Sequence, residues 1–258
     1  MFNQERHAKI MSIIEKNQRV EVNSLSEDFG VSVDTIRRDL RQMEKEGLIV
    51  RTHGGAILPE KTGVSVGYDA RKRIHIKEKS KIAKLAVTYL KDQDTVLMDG
   101  STTTAAMIPY MGHLKNLTVF TNSITVAHEI LNSQQHIKVY MIGGILHPHH
   151  ESTLSIDCLT YLNKLRVDKV FVGSCSLSPT RGLSATDIED ASIKKAMLDA
   201  GNQVIILSDK TKFTRESLVQ IAPIDPKYTL ITDEELSPEL KESFKSLIEN
   251  GLEIKVAN

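Results

Sequence analysis

Arg37 and Arg38 stand side by side, with Arg41 one turn later, and no other feature of the chain is as chemically pointed. A guanidinium presents a rigid fork of donors that matches a guanine edge or a phosphate. Thr35 and Gln42, close by, add hydroxyl and amide groups suited to base edges or backbone. Arg51 and His53 follow, then Gly54-Gly55, a spacing that fits a short hairpin touching a phosphate backbone. A second set of polar groups is spread over later segments: Asp99-Gly-Ser-Thr-Thr-Thr104, Thr121-Asn-Ser123, Gly143-Gly144, Gly173-Ser174 and Ser208-Asp-Lys-Thr-Lys212. Hydroxyls and unpaired backbone N–H groups at helix starts bind anions, and a nearby lysine supplies opposite charge. Asp99 and Asp209 would repel a phosphate and suit the hydroxyls of a polyol instead. A phosphorylated sugar matches that mixture.

The arginines act together only if a helix holds them on one face. Val33, Ile36, Leu40 and Met43 recur at helical spacing as a buried stripe, which leaves Asp34, Arg38, Arg41, Gln42 and Lys45 opposite. Thr35 and Arg37 lie on the flanks, Ser32 caps the start and Gly47 closes the end. Upstream, residues 4–14 form a helix with Ile10, Ile13 and Ile14 inward and Glu5, Arg6, Lys9 and Lys16 outward. Gln18–Val22 reads as a small strand, and Asn23 caps a helix Ser24–Phe29 that Gly30 ends. Leu48–Thr52 and Ala56–Leu58 are strands joined through His53-Gly54-Gly55. This is the pattern of a winged helix-turn-helix. Solvated arginines on an ordinary three-helix surface are the plainer alternative; the cap, the paired arginines and the Gly-Gly wing together favour duplex DNA. The expected interface is Ser32, Thr35, Arg37, Arg38, Arg41, Arg51, His53, Gly54 and Gly55.

The hydroxyl-rich loops need a different scaffold. Apolar runs at Thr95–Met98, Leu117–Phe120, Lys138–Ile142, Lys169–Val172, Gln203–Leu207, Thr229–Ile231 and Leu252–Val256 read as strands. Helical stretches fall near 103–111, 123–133, 153–165, 188–200 and 237–250, after a helix from Lys77 that faces inward with Ile82, Leu85, Ala86 and Tyr89. Alternation of this kind indicates an α/β fold with a largely parallel sheet, whose ligands collect beyond the carboxyl ends of the strands. The expected organisation is a winged helix at 1–58, a linker at 59–74 and an α/β effector-binding and oligomerisation domain at 75–258. Arg71-Lys-Arg73 in the linker reads as solvated charge or as a contact to flanking DNA.

These residues resemble a known family. Glu5-Arg6, Val31-Ser32, Thr35-Ile-Arg-Arg-Asp-Leu40, Glu44, Gly47, Arg51 and His53-Gly-Gly-Ala56 resemble the N-terminal signature of DeoR-family bacterial regulators. Glu78-Lys79, Ile82-Ala83, Asp99, Ser101-Thr-Thr103, Thr121-Asn-Ser123, Gly143-Gly144, Gly173, Gly182-Leu183, Glu189, Asp209, Lys212-Phe213 and Ile231-Thr-Asp233 resemble its effector domain. That domain is similar in fold to ribose-phosphate isomerase and glucosamine-phosphate deaminase. The resemblance implies a repressor of a carbohydrate-utilisation operon, released from double-stranded operator DNA by a phosphorylated sugar. It implies a homo-oligomer, dimer or tetramer, and effector contacts from Lys79, Asp99, Ser101, Thr102, Thr103, Thr121, Asn122, Ser123, Gly143, Gly144, Glu189, Asp209 and Lys212. The rival reading is a sugar-phosphate isomerase or deaminase with a DNA-binding appendage, for which Asp99, Glu189 or Asp209 would be the base. Fold likeness alone does not carry that chemistry.

Composition narrows the field without choosing. The formal net charge is zero, and residues 1–58 hold nine Lys/Arg against nine Asp/Glu, so DNA binding must rest on where charges point. Cys158 and Cys175 are the only cysteines and read as reduced thiols of a cytoplasmic protein. The apolar runs are far too short to span a membrane. Neither GxxxxGK[ST] nor GxGxxG occurs, so nucleotide binding lacks support. His147-Pro-His-His-Glu151 reads as a surface or lid loop in preference to a metal site, and no cofactor is expected. Glu189, Asp190, Lys194 and Lys195 read mostly as a solvated helix face, with one of them available to a ligand. The last helix, with Leu240, Phe244, Leu247 and Ile248, is core or subunit contact.

Overall fold

The computed structural model describes residues 3–17, 19–57, 67–213 and 215–258. The chain divides into two units, Met1–Ile74 and His75–Asn258. In the first, α1 (Asn3–Asn17) leads through β1 (Arg19–Glu21) into α2 (Val22–Phe29) and α3 (Val33–Lys45). Gly30 ends α2 in the left-handed region (φ 62°), where a residue without Cβ is unstrained. Ser32 caps α3, its Oγ accepting from the Thr35 amide at 3.2 Å. The cap of α2 differs from expectation: Glu21, not Asn23, is the boundary residue, because the Val22 amide is satisfied by the Gly54 carbonyl at 2.8 Å. The wing is β2 (Val50–Thr52) and β3 (Gly55–Ile57), with β1 pairing antiparallel on the far side of β3. Ile36, Leu40 and Met43 of α3 join Ile10, Ile14, Leu25 and Ile49 in one core.

Two expectations for this unit fail. Arg6 is buried rather than solvated. Residues 59–74 are not wholly linker either, since Tyr68–Arg73 forms a helix, α4, with Tyr68 and Ala70 buried. Gln18, Leu58 and residues 59–66 lie outside the described residues.

The second unit begins with α5 (Ile76–Val87), then β4 (Thr95–Met98), α6 (Thr102–Ala105), β5 (Thr118–Thr121), α7 (Ile124–Ser133) and β6 (Lys138–Met141). A hairpin of β7 (Leu146–His147) and β8 (Ser152–Thr153) precedes α8 (Ile156–Leu162) and β9 (Val167–Gly173). There follow β10 (Ser176–Ser178), β11 (Gly182–Ala185), α9 (Ile188–Ala200), β12 (Gly201–Leu207), β13 (Val219–Ala222), β14 (Thr229–Thr232), α10 (Pro238–Glu249) and β15 (Glu253–Val256). The main sheet runs β15-β14-β12-β9-β4-β5-β6, every neighbour parallel. Val96, Met98, Phe171 and Ile205 pack towards α5 and α7, while Leu97, Val170, Val172 and Ile206 pack towards α8 and α9. Both faces are therefore covered, which is why the central strands read as continuous apolar runs.

Three local readings are corrected here. The expected helix 103–111 is α6 followed by a single 3₁₀ turn, Ile108–Tyr110, with proline near its start. The expected helix 153–165 starts as strand β8, because Ser152 and Thr153 pair with His147 and Leu146. A small antiparallel sheet, β10-β11-β13, was not anticipated from strands this short.

Candidate functional site

On α3 the exposed side chains are Asp34, Arg37, Arg38, Arg41, Gln42, Glu44 and Lys45, as the helical period requires. They are not equivalent. Arg37 is 3.7 Å from Asp34, and Arg51 is 3.6 Å from Glu44, whose Oε1 also accepts from the Arg51 amide at 3.1 Å. Arg38 and Arg41 carry no ion pair among the described residues. Thr35 is half-buried, and its hydroxyl lies 2.9 Å from Ser32 Oγ, so both share the cap. His53 and Gly54 are exposed at the hairpin turn, where Gly54 has φ 91°. Gly55 is placed differently from expectation. It is buried in β3, and a Cβ there would fall 1.9 Å from the Val20 carbonyl oxygen, so close strand packing accounts for its glycine.

Sequence reasoning missed what holds this face. Arg6 Nε donates to Asp39 Oδ2 at 2.5 Å and Nη2 to Oδ1 at 2.9 Å, a two-pronged pair between α1 and α3. The bond to Asp39 holds the Arg6 guanidinium even more firmly protonated than usual, against the opposing effect of burial. Asp39 lies between Ile36, Leu40 and Met43 in the helical period; a charge on that inner face is the signal available in sequence.

In the second unit the chain builds β4, β5 and β6 outward to one edge, then returns to β9 beside β4 and continues to the other edge. The order of strands thus reverses between β4 and β9. A crevice forms at such a point, beyond the strand ends. Asp99 leaves β4 there and Gly173 ends β9, and the Gly173 amide donates to Asp99 Oδ2 at 3.1 Å. Asp99 Oδ1 accepts from the Ser101 amide at 3.1 Å and from the Thr104 hydroxyl. Lys194 Nζ lies 3.5 Å from Oδ2. A carboxylate offers about four lone-pair positions; three take these hydrogen bonds, and the Lys194 charge lies beside Oδ2. Asp99 therefore ties the loops after β4 and β9 together.

Lys194 was read within a solvated face, yet it is buried. It points inward because position 194 falls on the same stripe of α9 as Ala191 and Leu198. Its ammonium also lies 3.4 Å from Asp190 Oδ2 and donates to the Gly173 carbonyl at 3.2 Å.

The loops after β4 and β5 meet closely. A Cβ on Gly100 would fall 2.2 Å from Ser152 Oγ and 3.4 Å from Ser123 Cβ. Ser101, Thr102, Thr103, Thr121, Asn122 and Ser123 are all buried around this contact. Ser101 caps α6 and Ser123 caps α7, through the Thr104 and Val126 amides. Asn122 Nδ2 donates to the Thr153 carbonyl at 2.9 Å, while its Oδ1 is buried with no hydrogen-bond partner among the described residues. Buried acceptors are normally paired, so this one is suited to a ligand's donor.

Asp209 and Lys212 follow β12, one strand beyond β9, and Ser174 Oγ donates to Ser208 Oγ at 2.7 Å across the gap. Burial pushes the Asp209 carboxyl up. The Lys212 charge, the Thr211 hydroxyl and amide and the nearby His75 outweigh it and hold the carboxyl below its ordinary value. Lys79 is buried on α5.

The remaining expected residues are peripheral. Gly143 and Gly144 are exposed beyond edge strand β6, with Gly144 at φ 138° against Ser155 of the α8 cap. Glu189 is exposed in the first turn of α9. His147 ends β7 and residues 148–151 form the turn of the β7–β8 hairpin, which is tied to the β5 loop where the Ile124 amide donates to the Glu151 carbonyl at 3.0 Å. Among the described residues no group of three or more His, Cys, Asp or Glu could hold a metal ion, and no helix is long and apolar enough to cross a membrane. Burial pushes the Cys158 thiol up, as suits an inert core cysteine.

Comparison with known proteins bears on both units. Residues 6–62 match the DeoR-like helix-turn-helix domain, and residues 74–234 match the DeoR C terminal sensor domain. The chain is 33% identical over 233 residues to the HTH-type transcriptional repressor GlcR of Bacillus subtilis, covering 90% of this chain and 89% of that protein. It is 30% identical over 236 residues to the transcriptional repressor AccR of Agrobacterium fabrum, covering 90% and 91%. Ribose 5-phosphate isomerase A of Methanocaldococcus jannaschii aligns with 53% of each chain at 19% identity and a TM-score of 0.39, a likeness too slight to build on. The chain therefore belongs to the DeoR family of helix-turn-helix transcriptional regulators.

Proposed function

We propose that this regulator is a repressor of a carbohydrate-utilisation operon, and that a phosphorylated sugar bound beyond the ends of β4, β5, β9 and β12 releases it from operator DNA. The observation that carries the ligand half is the buried gathering of Ser101–Thr103 and Thr121–Ser123 at the strand-order reversal, with Asn122 Oδ1 lacking a partner among the described residues. Caps and hydroxyls of α6 and α7 with the Lys212 charge suit the phosphate, and Asn122 with Asp209 suits the polyol. Thr35, Arg37, Arg38 and Arg41 of α3 contact the operator, with Arg51, His53 and Gly54 against its backbone. The protein works as a dimer or tetramer, since paired half-sites are matched by protein symmetry. Ligand binding favours the arrangement of reading heads that fits the operator less well.

The enzymatic alternative is less well supported at its first candidate base. Asp99 already accepts from Ser101, Thr104 and Gly173 and lies beside the Lys194 charge, a setting that favours a structural carboxylate over a base.

The test is binding of the full-length protein to its own upstream promoter fragment, followed by fluorescence anisotropy, with a panel of sugar phosphates added. Retardation at modest salt and release by one member of the panel is the expected result. Steady turnover of any sugar phosphate would overthrow the sensor reading.

A further inference from the structure

We infer that α4 is a second DNA-contacting element, in which Arg71 and Lys72 meet phosphates flanking the segment read by α3; the inference rests on the operator-binding reading above. The basic triplet Arg71-Lys-Arg73 would add little as part of a loose linker, because a charge that roams gains little at any one phosphate. The structure gives it a fixed address. Tyr68 and Ala70 are buried, Ile74 packs against the same core as α3, and the Ala70 Cβ lies 3.7 Å from where a Gly47 Cβ would stand. Arg73 Nη1 donates to Glu46 Oε2 at 3.1 Å. Gln42 Nε2, on the exposed face of α3, donates to Glu46 Oε1 at 3.1 Å. A run of polar contacts thus leads from the outer face of α3 through Glu46 onto α4.

Along α4 the three cations stand in different surroundings. Arg73 is the anchor to Glu46. The Arg71 guanidinium sits 5.7 Å from the Tyr68 ring centroid, and Lys72 is exposed. Charge complementarity names the occupant. Residues 1–58 are neutral on balance, but residues 1–74 hold thirteen Lys/Arg against eleven Asp/Glu. The surplus of positive charge in the reading head comes with the α4 triplet, next to the face that carries Arg38, Arg41 and Lys45. Duplex DNA, with a negative charge about every 1.7 Å of axis, is the polyanion that face is read to meet. Contacts to its phosphates position a protein without reading sequence.

The experiment measures binding of the full-length protein to its upstream promoter fragment and to a scrambled duplex of equal length, over a range of potassium chloride concentrations. R71Q/K72Q is expected to weaken both duplexes by the same factor and to flatten the log–log salt slope by about 2, roughly 0.9 for each phosphate no longer neutralised. R71K/K72R, which keeps the charges, is expected to keep the slope. R38A is expected to lose affinity for the promoter fragment far more than for the scrambled duplex. Wild-type slope in R71Q/K72Q overturns the inference while leaving the operator reading standing. Equal loss in R71K/K72R overturns it too, since packing and not charge would then be the cause. Failure of the wild-type protein to bind either duplex at low salt removes the operator reading, and α4 with it.

Discussion

The Lys194 ammonium on α9 stands 3.5 Å from the carboxylate of Asp99 at the end of β4, and both side chains are buried. The same ammonium donates to the Gly173 carbonyl at the end of β9. One side chain thereby pins the two strands between which the sheet order reverses, at the base of the proposed effector site. The charge belongs to the frame of the site, not to its surface.

Lys194→Met should be costly for that reason. It strips the positive partner from a buried Asp99 and a partly buried Asp190, and breaking a buried pair on one side costs about 3 kcal/mol or more. Urea unfolding of the purified variant reads this directly. A loss under about 1 kcal/mol, within the range of an exposed pair, would show that the amide and hydroxyl donors alone carry Asp99.

Arg38→Ala should do the opposite, sparing stability and harming binding. Arg38 is exposed and makes no ion pair among the described residues. Operator affinity should drop by about 1–3 kcal/mol if it reads a guanine, with the melting temperature unchanged. Arg37→Ala should cost less, since Arg37 leaves Asp34 to reach DNA. Unaltered promoter binding by the Arg38 variant would remove it from the interface.

Asn122→Ala probes the orphan acceptor. The variant gives up one hydrogen bond to the Thr153 carbonyl and also one unsatisfied buried oxygen, so net stability should shift by no more than about 1 kcal/mol. Release from DNA should then need about tenfold more sugar phosphate, the equivalent of one polar contact. An unchanged dose response would place the ligand elsewhere.

Asp209 predicts an acid limb. Its carboxyl is held below its ordinary value when folded, so the folded state binds the proton less readily than the unfolded chain. The stabilisation is complete above the unfolded pKa and is lost as pH falls through the folded one. Asp209→Asn should therefore flatten the dependence of unfolding free energy on pH below the usual carboxylate range, while leaving its course near neutrality alone. Parallel curves for wild type and variant across that acidic window would contradict the assignment.

Much of this was legible beforehand, for identifiable reasons. The outer face of α3 follows from a 3.6-residue period, and its Ser32 cap and the Gly30 turn are chemistry within a few residues. The central strands are covered on both faces, so their apolar runs stood out. Arg6 and Asp39 were illegible as a pair: they are 33 residues apart, and although Asp39 falls on the inner face of α3, nothing local names its partner. The α4 helix hid in a stretch with no sustained period, because six residues give too few repeats and its burial depends on Gly47 and the core beneath. The two- and three-residue strands of the hairpin and the small sheet carry too few side chains for an alternation to register.

Order along the chain fixed the cap of α3, the buried stripes and the succession of strand, polar loop and helix, because each depends on neighbours a few bonds away. It did not fix which loops face one another. Asp99 and the Gly173 amide are 74 residues apart, and they meet because β9 inserts beside β4 when both faces of the sheet are packed. That adjacency makes Asp99 a tie across the sheet, and turns a lysine suited to solvent into its counter-ion. Pairing across such distances is chosen by burial of the whole sheet, and it leaves no trace in any short window of residues.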